Sequence, residues 1–157
     1  MATCHGADYA EGMRSALALA LLCLPACGDS YVIAEADGVA IARTEFAARG
    51  VTTDAARSLG PLTIDAAEVS FTLDGWSAAR SVGFEYVSEE DPDFVEAATD
   101  LGALDETAKL QTAVDAALAG EPQSHVLVIR TWGHETAELA TSQLRRYVDE
   151  WLTAQGL

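Results

Sequence analysis

The chain has 157 residues, half of them hydrophobic, with a formal net charge of −16. That is enough apolar material for one packed domain, and it argues against a disordered chain. Without residues 1–26, which contain Asp8, Glu11 and Arg14, 23 acids face 8 bases, a net charge of −15. A surface of that sign repels nucleic acid and anionic lipid headgroups, which excludes both as partners bound by charge. Lys109 is the only lysine, beside seven arginines after position 26; a GC-rich genome and adaptation to salt both produce this pattern.

The first thirty residues read as an export signal. From Met13 the chain gives Met13-Arg14-Ser15, then the apolar run Ala16–Leu24, then Pro25-Ala26-Cys27. A short positive start, an apolar stretch and a small-residue exit form the pattern of a secretory signal. Nine apolar residues are too few to span a bilayer, which takes about 20. Residues 1–12 carry two acids and no base, so the true start is expected at Met13. Cys4 and His5 offer two ligands where a structural zinc needs four. Cleavage after Ala26 would put the bulky Leu24 at −3, which an ordinary signal peptidase rejects. Leu24-Pro25-Ala26-Cys27 resembles the bacterial lipobox, with Leu at −3, a small residue at −1 and Cys at +1. The resemblance implies that the Cys27 sulfur takes a diacylglyceryl group and that two or three acyl chains hold the protein to a membrane. The expected organisation is an export signal over 1–26, a lipid-anchored tether over 27–30 and a single α+β domain over 31–157.

Within that domain, Tyr31–Glu35 and Val39–Arg43 predict two strands around Ala36-Asp37-Gly38, because Asp-Gly is a strong hairpin signal. A short helix over Thr44–Ala48, ended by Gly50, and a helical turn over Thr53–Ser58 before Gly60-Pro61 are expected next. Ala67–Leu73 alternates, with Val69, Phe71 and Leu73 on one face; Asp74-Gly75 turns it. Ser81–Ser88 alternates again, with Val82, Phe84 and Tyr86 together, so the two segments are expected to pair antiparallel. Pro92–Asp100 predicts a short helix. Asp105–Leu118 predicts a longer one on Leu110, Val114, Ala117 and Leu118, with Gly120 past its end. His125–Trp132, with its run Val126–Ile129, is the most buried-looking strand. Glu135–Ala154 is the strongest helix, striped by Ala140, Leu144, Tyr147, Val148, Trp151 and Leu152. The fold class that follows is α+β: a small mixed or antiparallel sheet of about five strands with a long C-terminal helix packed on it.

Candidate chemistry is sparse. His125 and His134 flank the last strand, about 30 Å apart if it is fully extended, so they cannot share a metal. Trp132, His134 and Glu135 sit at a strand-to-helix corner, where ligands often bind in open α/β sheets, and form the candidate ligand site. The simpler reading makes Gly133 the turn and Glu135 a helix-start acid. Between Arg80 and Lys109 lie nine acids and no base: Glu85, Glu89, Glu90, Asp91, Asp93, Glu96, Asp100, Asp105 and Glu106. They lack the spacing of a calcium loop and read as a solvated acidic face. Trp76, after a turn, is expected to be exposed, and Trp151 to be core. No nucleophile elbow, phosphate loop or zinc pair is present, so no cofactor, metal or catalytic residue is assigned.

Two further resemblances are partial. Residues 32–46 (VIAEADGVAIARTEF), through Ile41, Glu45 and Phe46, resemble the opening of parvulin-type envelope foldases, which implies a strand–turn–strand start. The outline from the strand near 82–88 through Leu144–Leu152 resembles OmpA-like peptidoglycan-binding proteins. The Gly-His-Thr-Asp ligand loop of that family is absent, so no site residue is carried over. The expected function is a non-catalytic binding or structural domain, anchored to a membrane by lipid, with the cell wall or another envelope protein as partner. A peptidoglycan-contacting tether is the second reading. An enzyme pairing His134 with a carboxylate is the third.

Overall fold

A computed structural model describes residues 30–64, 67–88, 104–130 and 133–157. The expected export signal, Cys27, the predicted Pro92–Asp100 helix, most of the acidic stretch and Trp132 lie outside the described residues. The fold is mixed α+β. In chain order it runs α1 (Glu35–Ala48), β1 (Ser58–Ile64), β2 (Ala67–Thr72), β3 (Gly75–Ser77), β4 (Val82–Val87), α2 (Leu104–Ala117), β5 (His125–Arg130) and α3 (Ala137–Ala154). The five strands form two small sheets, a β1–β2 hairpin and a three-stranded β3–β4–β5 sheet in which β4 and β5 run parallel. No helix among the described residues is long and apolar enough to cross a membrane.

From Glu35 onward the predicted hairpin over 31–43 is instead the start of α1, and Tyr31 bridges to His134 rather than to a neighbouring strand of a hairpin. Alanine-rich sequence favours the helix, and Glu35 and Asp37 suit its positive N-terminal end. Gly38 is not a turn residue. A Cβ there would lie 2.2 Å from the Tyr86 ring, so glycine lets the ring pack against the helix, and the Tyr86 hydroxyl donates to the Ile33 carbonyl at 3.2 Å. The strand–turn–strand start implied by the foldase resemblance is therefore absent. The buried residues Gly38, Ala42 and Phe46 repeat every four positions, the helical period.

The predicted helical turn over 53–58 is extended. Ala55 bridges to Trp76, and β1 passes through Gly60-Pro61. A register shift between Leu59 and Leu62 absorbs the proline, whose missing N–H costs little on an edge strand. The predicted pairing of 67–73 with 81–88 is also replaced. β2 pairs with β1, while Gly75–Ser77, expected as part of a turn, form the strand that pairs with β4. Gly75 faces Phe84 and Gly83 faces Trp76; without Cβ atoms, each leaves room for the ring opposite.

Both faces of the three-stranded sheet are covered. Leu127 and Ile129 of β5 join Phe84, Tyr86, Phe46 and the α3 residues Leu144, Val148 and Leu152. Val126 and Val128, on the other face, join Val69, Phe71, Leu110 and Val114 under α2 and the hairpin. Alternation along one buried strand thus divides the core into two layers. Three side chains around the α2 face of the sheet depart from expectation. Trp76 is buried beneath the Arg57 guanidinium, which lies 4.2 Å from its ring centre. Ala117 is exposed, because Leu110 and Val114, continued by Leu118 just past the helix end, make the buried stripe of α2. Glu85 is buried rather than part of an acidic face: it accepts the Asp74 amide at 3.1 Å, while the Asp74 carboxylate accepts the Tyr86 amide at 2.9 Å.

Candidate functional site

At the predicted corner the segment before α1 pairs with the segment before α3. Tyr31 and His134 exchange both backbone hydrogen bonds, Tyr31 N to His134 O at 2.7 Å and His134 N to Tyr31 O at 2.9 Å. Gly133 admits this crossing, since a Cβ would lie 2.6 Å from that of Ser30. Glu135 is exposed. Thr136, one residue later, caps α3 by accepting the Leu139 amide at 3.2 Å. His134 is half-buried, and none of the clefts described below is lined by residues 133–135. His125 stands at the opposite end of β5, as its spacing predicted. Among the described residues, no three His, Cys, Asp or Glu side chains come together to hold a metal ion.

At that opposite end a groove opens between α2 and α3, floored by the first residues of β5. Its volume is about 550 Å³, within the size range of ligand clefts. From α3 come Tyr147 and Trp151, and from its C-cap Gln155; from β5 comes His125; from α2 come Gln111 and Asp115. Tyr147 and Trp151 are one turn apart and therefore neighbours on one helix face. Trp151 packs partly into the core, its ring 6.1 Å from that of Phe46, whereas Tyr147 is 39% exposed. Tyr147 was expected in the core stripe; it sits on the stripe's margin, and burial of its phenol pushes its pKa up.

Gln111 builds one wall by standing in for a strand. Its Nε2 donates to the Val126 carbonyl at 2.9 Å and its Oε1 accepts the Val128 amide at 2.9 Å, which satisfies the outer edge of β5. The same Nε2 donates to Asp115 at 2.9 Å. Glu121, in the loop before β5, accepts Arg57 through both oxygens, at 2.8 and 3.0 Å, and the Ser124 hydroxyl at 2.8 Å. These bonds, Arg57's first, hold its carboxyl below the ordinary glutamate value. A carboxylate held ionised in this way is a poor proton acceptor, so Ser124 has no base beside it in Glu121. The groove therefore offers aromatic surface, the His125 imidazole and the Gln155 amide to a bound molecule, and its acids disfavour an anionic one.

The chain matches no protein-family model, no curated protein and no solved structure. The choice of site accordingly rests on geometry. Two other clefts are less furnished. One of about 590 Å³ is lined mainly by small residues and threonines around Arg43, whose guanidinium is already bound to the Asp74 carbonyl at 2.7 Å. The other, about 470 Å³, lies between Ile64 and the alanines of α2. Sequence reasoning noted His125 only as a histidine too far from His134 to share a metal, gave Tyr147 to the core and passed over Gln111. A helical wheel places Tyr147 on the apolar stripe without saying that the stripe ends there. No local signal marks a glutamine that bonds a strand 15 to 17 residues away.

Proposed function

We propose that this is a lipid-anchored cell-envelope protein, held by a lipid on Cys27, whose α+β domain is a non-catalytic binding module working through the α2–α3 groove. The observation that carries the anchor is the sequence Leu24-Pro25-Ala26-Cys27, followed by a chain with no further cysteine. That sulfur has no partner for a disulfide in the domain, and a thioether lipid gives it a use. Binding is supported by a groove that joins two aromatic residues to His125 and Gln155, and by a Glu121 carboxylate engaged in structure rather than free to take a proton. The acidic surface favours a neutral or cationic partner in the envelope, cell wall or protein, over nucleic acid.

The test is the location of the full-length protein. Cys27→Ala should move it from the membrane fraction to the soluble fraction, with its circular dichroism unchanged because Cys27 precedes the folded domain. Membrane retention of the Cys27→Ala protein would defeat the reading.

A further inference from the structure

Four large apolar side chains are exposed among the described residues: Tyr31, Val32, Leu139 and Tyr147. Tyr147 lines the groove. The other three gather at the opposite end of the domain. Tyr31, 39% exposed, is the residue paired to His134; Val32, 47% exposed, follows it; Leu139, 39% exposed, lies in the first turn of α3, five residues from His134.

This end is also where the chain arrives from Cys27. Three residues separate Cys27 from Tyr31, so even four fully extended steps reach only about 14 Å. The backbone pairing of Tyr31 with His134 removes further slack, because it fixes the near end of that tether to the corner between β5 and α3. α1 and α3 both begin at this end. Their far ends are joined by Arg49, which reaches Asp149 and donates to Thr153 at 3.0 Å, while the Arg145–Glu45 pair at 3.5 Å links them one turn earlier. β4 and β5 also end here, with Ser88 donating to Glu35 at 2.7 Å. The domain is thus polar in direction. The 18 residues of α3 span about 27 Å from the tether corner toward the groove.

We infer that the Tyr31–Val32–Leu139 end is a membrane-contact surface, seated in the headgroup layer of the bilayer that holds Cys27, so that the α2–α3 groove faces away from the membrane. The inference rests on the lipid anchor. A tether of this length keeps the corner within reach of the interface, where exposed tyrosine and aliphatic side chains exchange water for headgroups and upper acyl chains. The neighbouring Glu135 and Glu138, and the net negative charge, oppose attraction to anionic lipid. The contact is therefore apolar and suits a zwitterionic surface, and the domain stands on its end rather than lying on its side.

The domain has no cysteine of its own, so single reporters can be placed cleanly. Val32→Cys, Leu139→Cys and, at the groove end, Gln155→Cys would each carry a polarity-sensitive fluorophore on the lipidated full-length protein in phosphatidylcholine vesicles. The labels at 32 and 139 should shift to the blue and lose about half their emission to a shallow lipid-borne quencher, and the label at 155 should do neither. Membrane-bound protein with equal, unquenched signals at 139 and 155 would overturn the inference while leaving the anchor intact. Disulfide cross-linking between Leu139→Cys copies, with no lipid quenching, would overturn it in favour of a second copy of the chain covering this end. Protein that never enters the membrane fraction would remove the anchor first, and the contact surface with it.

Discussion

On the α1–α3 face of the three-stranded sheet the core is closed by backbone, and on the α2 face it is closed by side chains. α1 and α3 end alike. In α1, Val51 N bonds Phe46 O at 3.0 Å and Gly50 N bonds Ala47 O at 2.9 Å; in α3, Leu157 N bonds Leu152 O at 3.1 Å and Gly156 N bonds Thr153 O at 3.0 Å. Both are Schellman caps, with a glycine at φ +71° or +76° and an apolar residue folded back on the core. Among the described residues the α2 face is closed differently. Gln111 supplies the missing hydrogen bonds of β5, and Arg57 covers Trp76 and grips Glu121. The difference teaches where the domain is built for rigidity and where its surface is polar. The groove lies along the side-chain-closed edge, flanked by the capped end of α3.

The largest test of that contrast is in the backbone-closed core. Phe46 is fully buried, 5.2 Å from Phe84 and 6.1 Å from Trp151 between ring centres. Phe46→Ala should cost about 3–5 kcal/mol in urea unfolding, from lost burial and the cavity left behind. It should also loosen Trp151, the groove residue that leans on it, so tryptophan emission should shift to the red. A cost under about 1 kcal/mol would mean that this face repacks freely and is not the rigid one.

The next test opens the other face. Gln111→Leu keeps the bulk of the side chain but leaves the Val126 carbonyl and the Val128 amide without their partner on a strand whose residues are buried. Each orphaned group costs about 1–3 kcal/mol unless water replaces the bond. Hydrogen exchange at Val128 reads the site directly: it should quicken well beyond the global loss of stability, while the amides of α1 keep pace with global unfolding. Uniform quickening across the domain would show that Gln111 closes no local edge.

The same contrast governs what the sequence discloses. β5 and α3 are legible because a continuous apolar run and a 3.6-residue stripe are local patterns: Val126–Ile129 and Ala140, Leu144, Val148 and Leu152 are all buried as they predict. The start of α1 is not legible, because Asp37-Gly38 carries a hairpin signal whose glycine is there to admit Tyr86, a residue 48 positions away. β1 hides behind Gly60-Pro61, a break in most strands, tolerated here by a bulge on an edge. The groove is half legible. Histidine and tyrosine draw attention wherever they fall, but the roles of Gln111 and Glu121 depend on contacts with β5 and Arg57 that no local pattern encodes. Of the expected ligand residues, His134 is held by its backbone pairing with Tyr31, Glu135 is exposed beside it, and Trp132 is outside the described residues.

The smallest effect belongs to Tyr147, at the groove itself. Burial raises its pKa, so the folded state disfavours the phenolate. The sign follows from linkage. Stability from this group is whole below the unfolded value of about 10 and declines as pH rises from there through the raised folded value. The ring is 39% exposed, so the loss is modest, and it should appear only above pH 10. Absorbance at 295 nm of the parent and Tyr147→Phe proteins should differ by one tyrosine that ionises late for a residue so open to solvent. Tyr147→Phe should remove that step and flatten the alkaline loss, leaving the acid side untouched. A molecule seated in the groove would bury the phenol further and delay its ionisation again, which makes Tyr147 a built-in reporter of occupancy. If the Tyr147→Phe protein loses stability above pH 10 as the parent does, the alkaline change lies elsewhere and the groove has no such reporter.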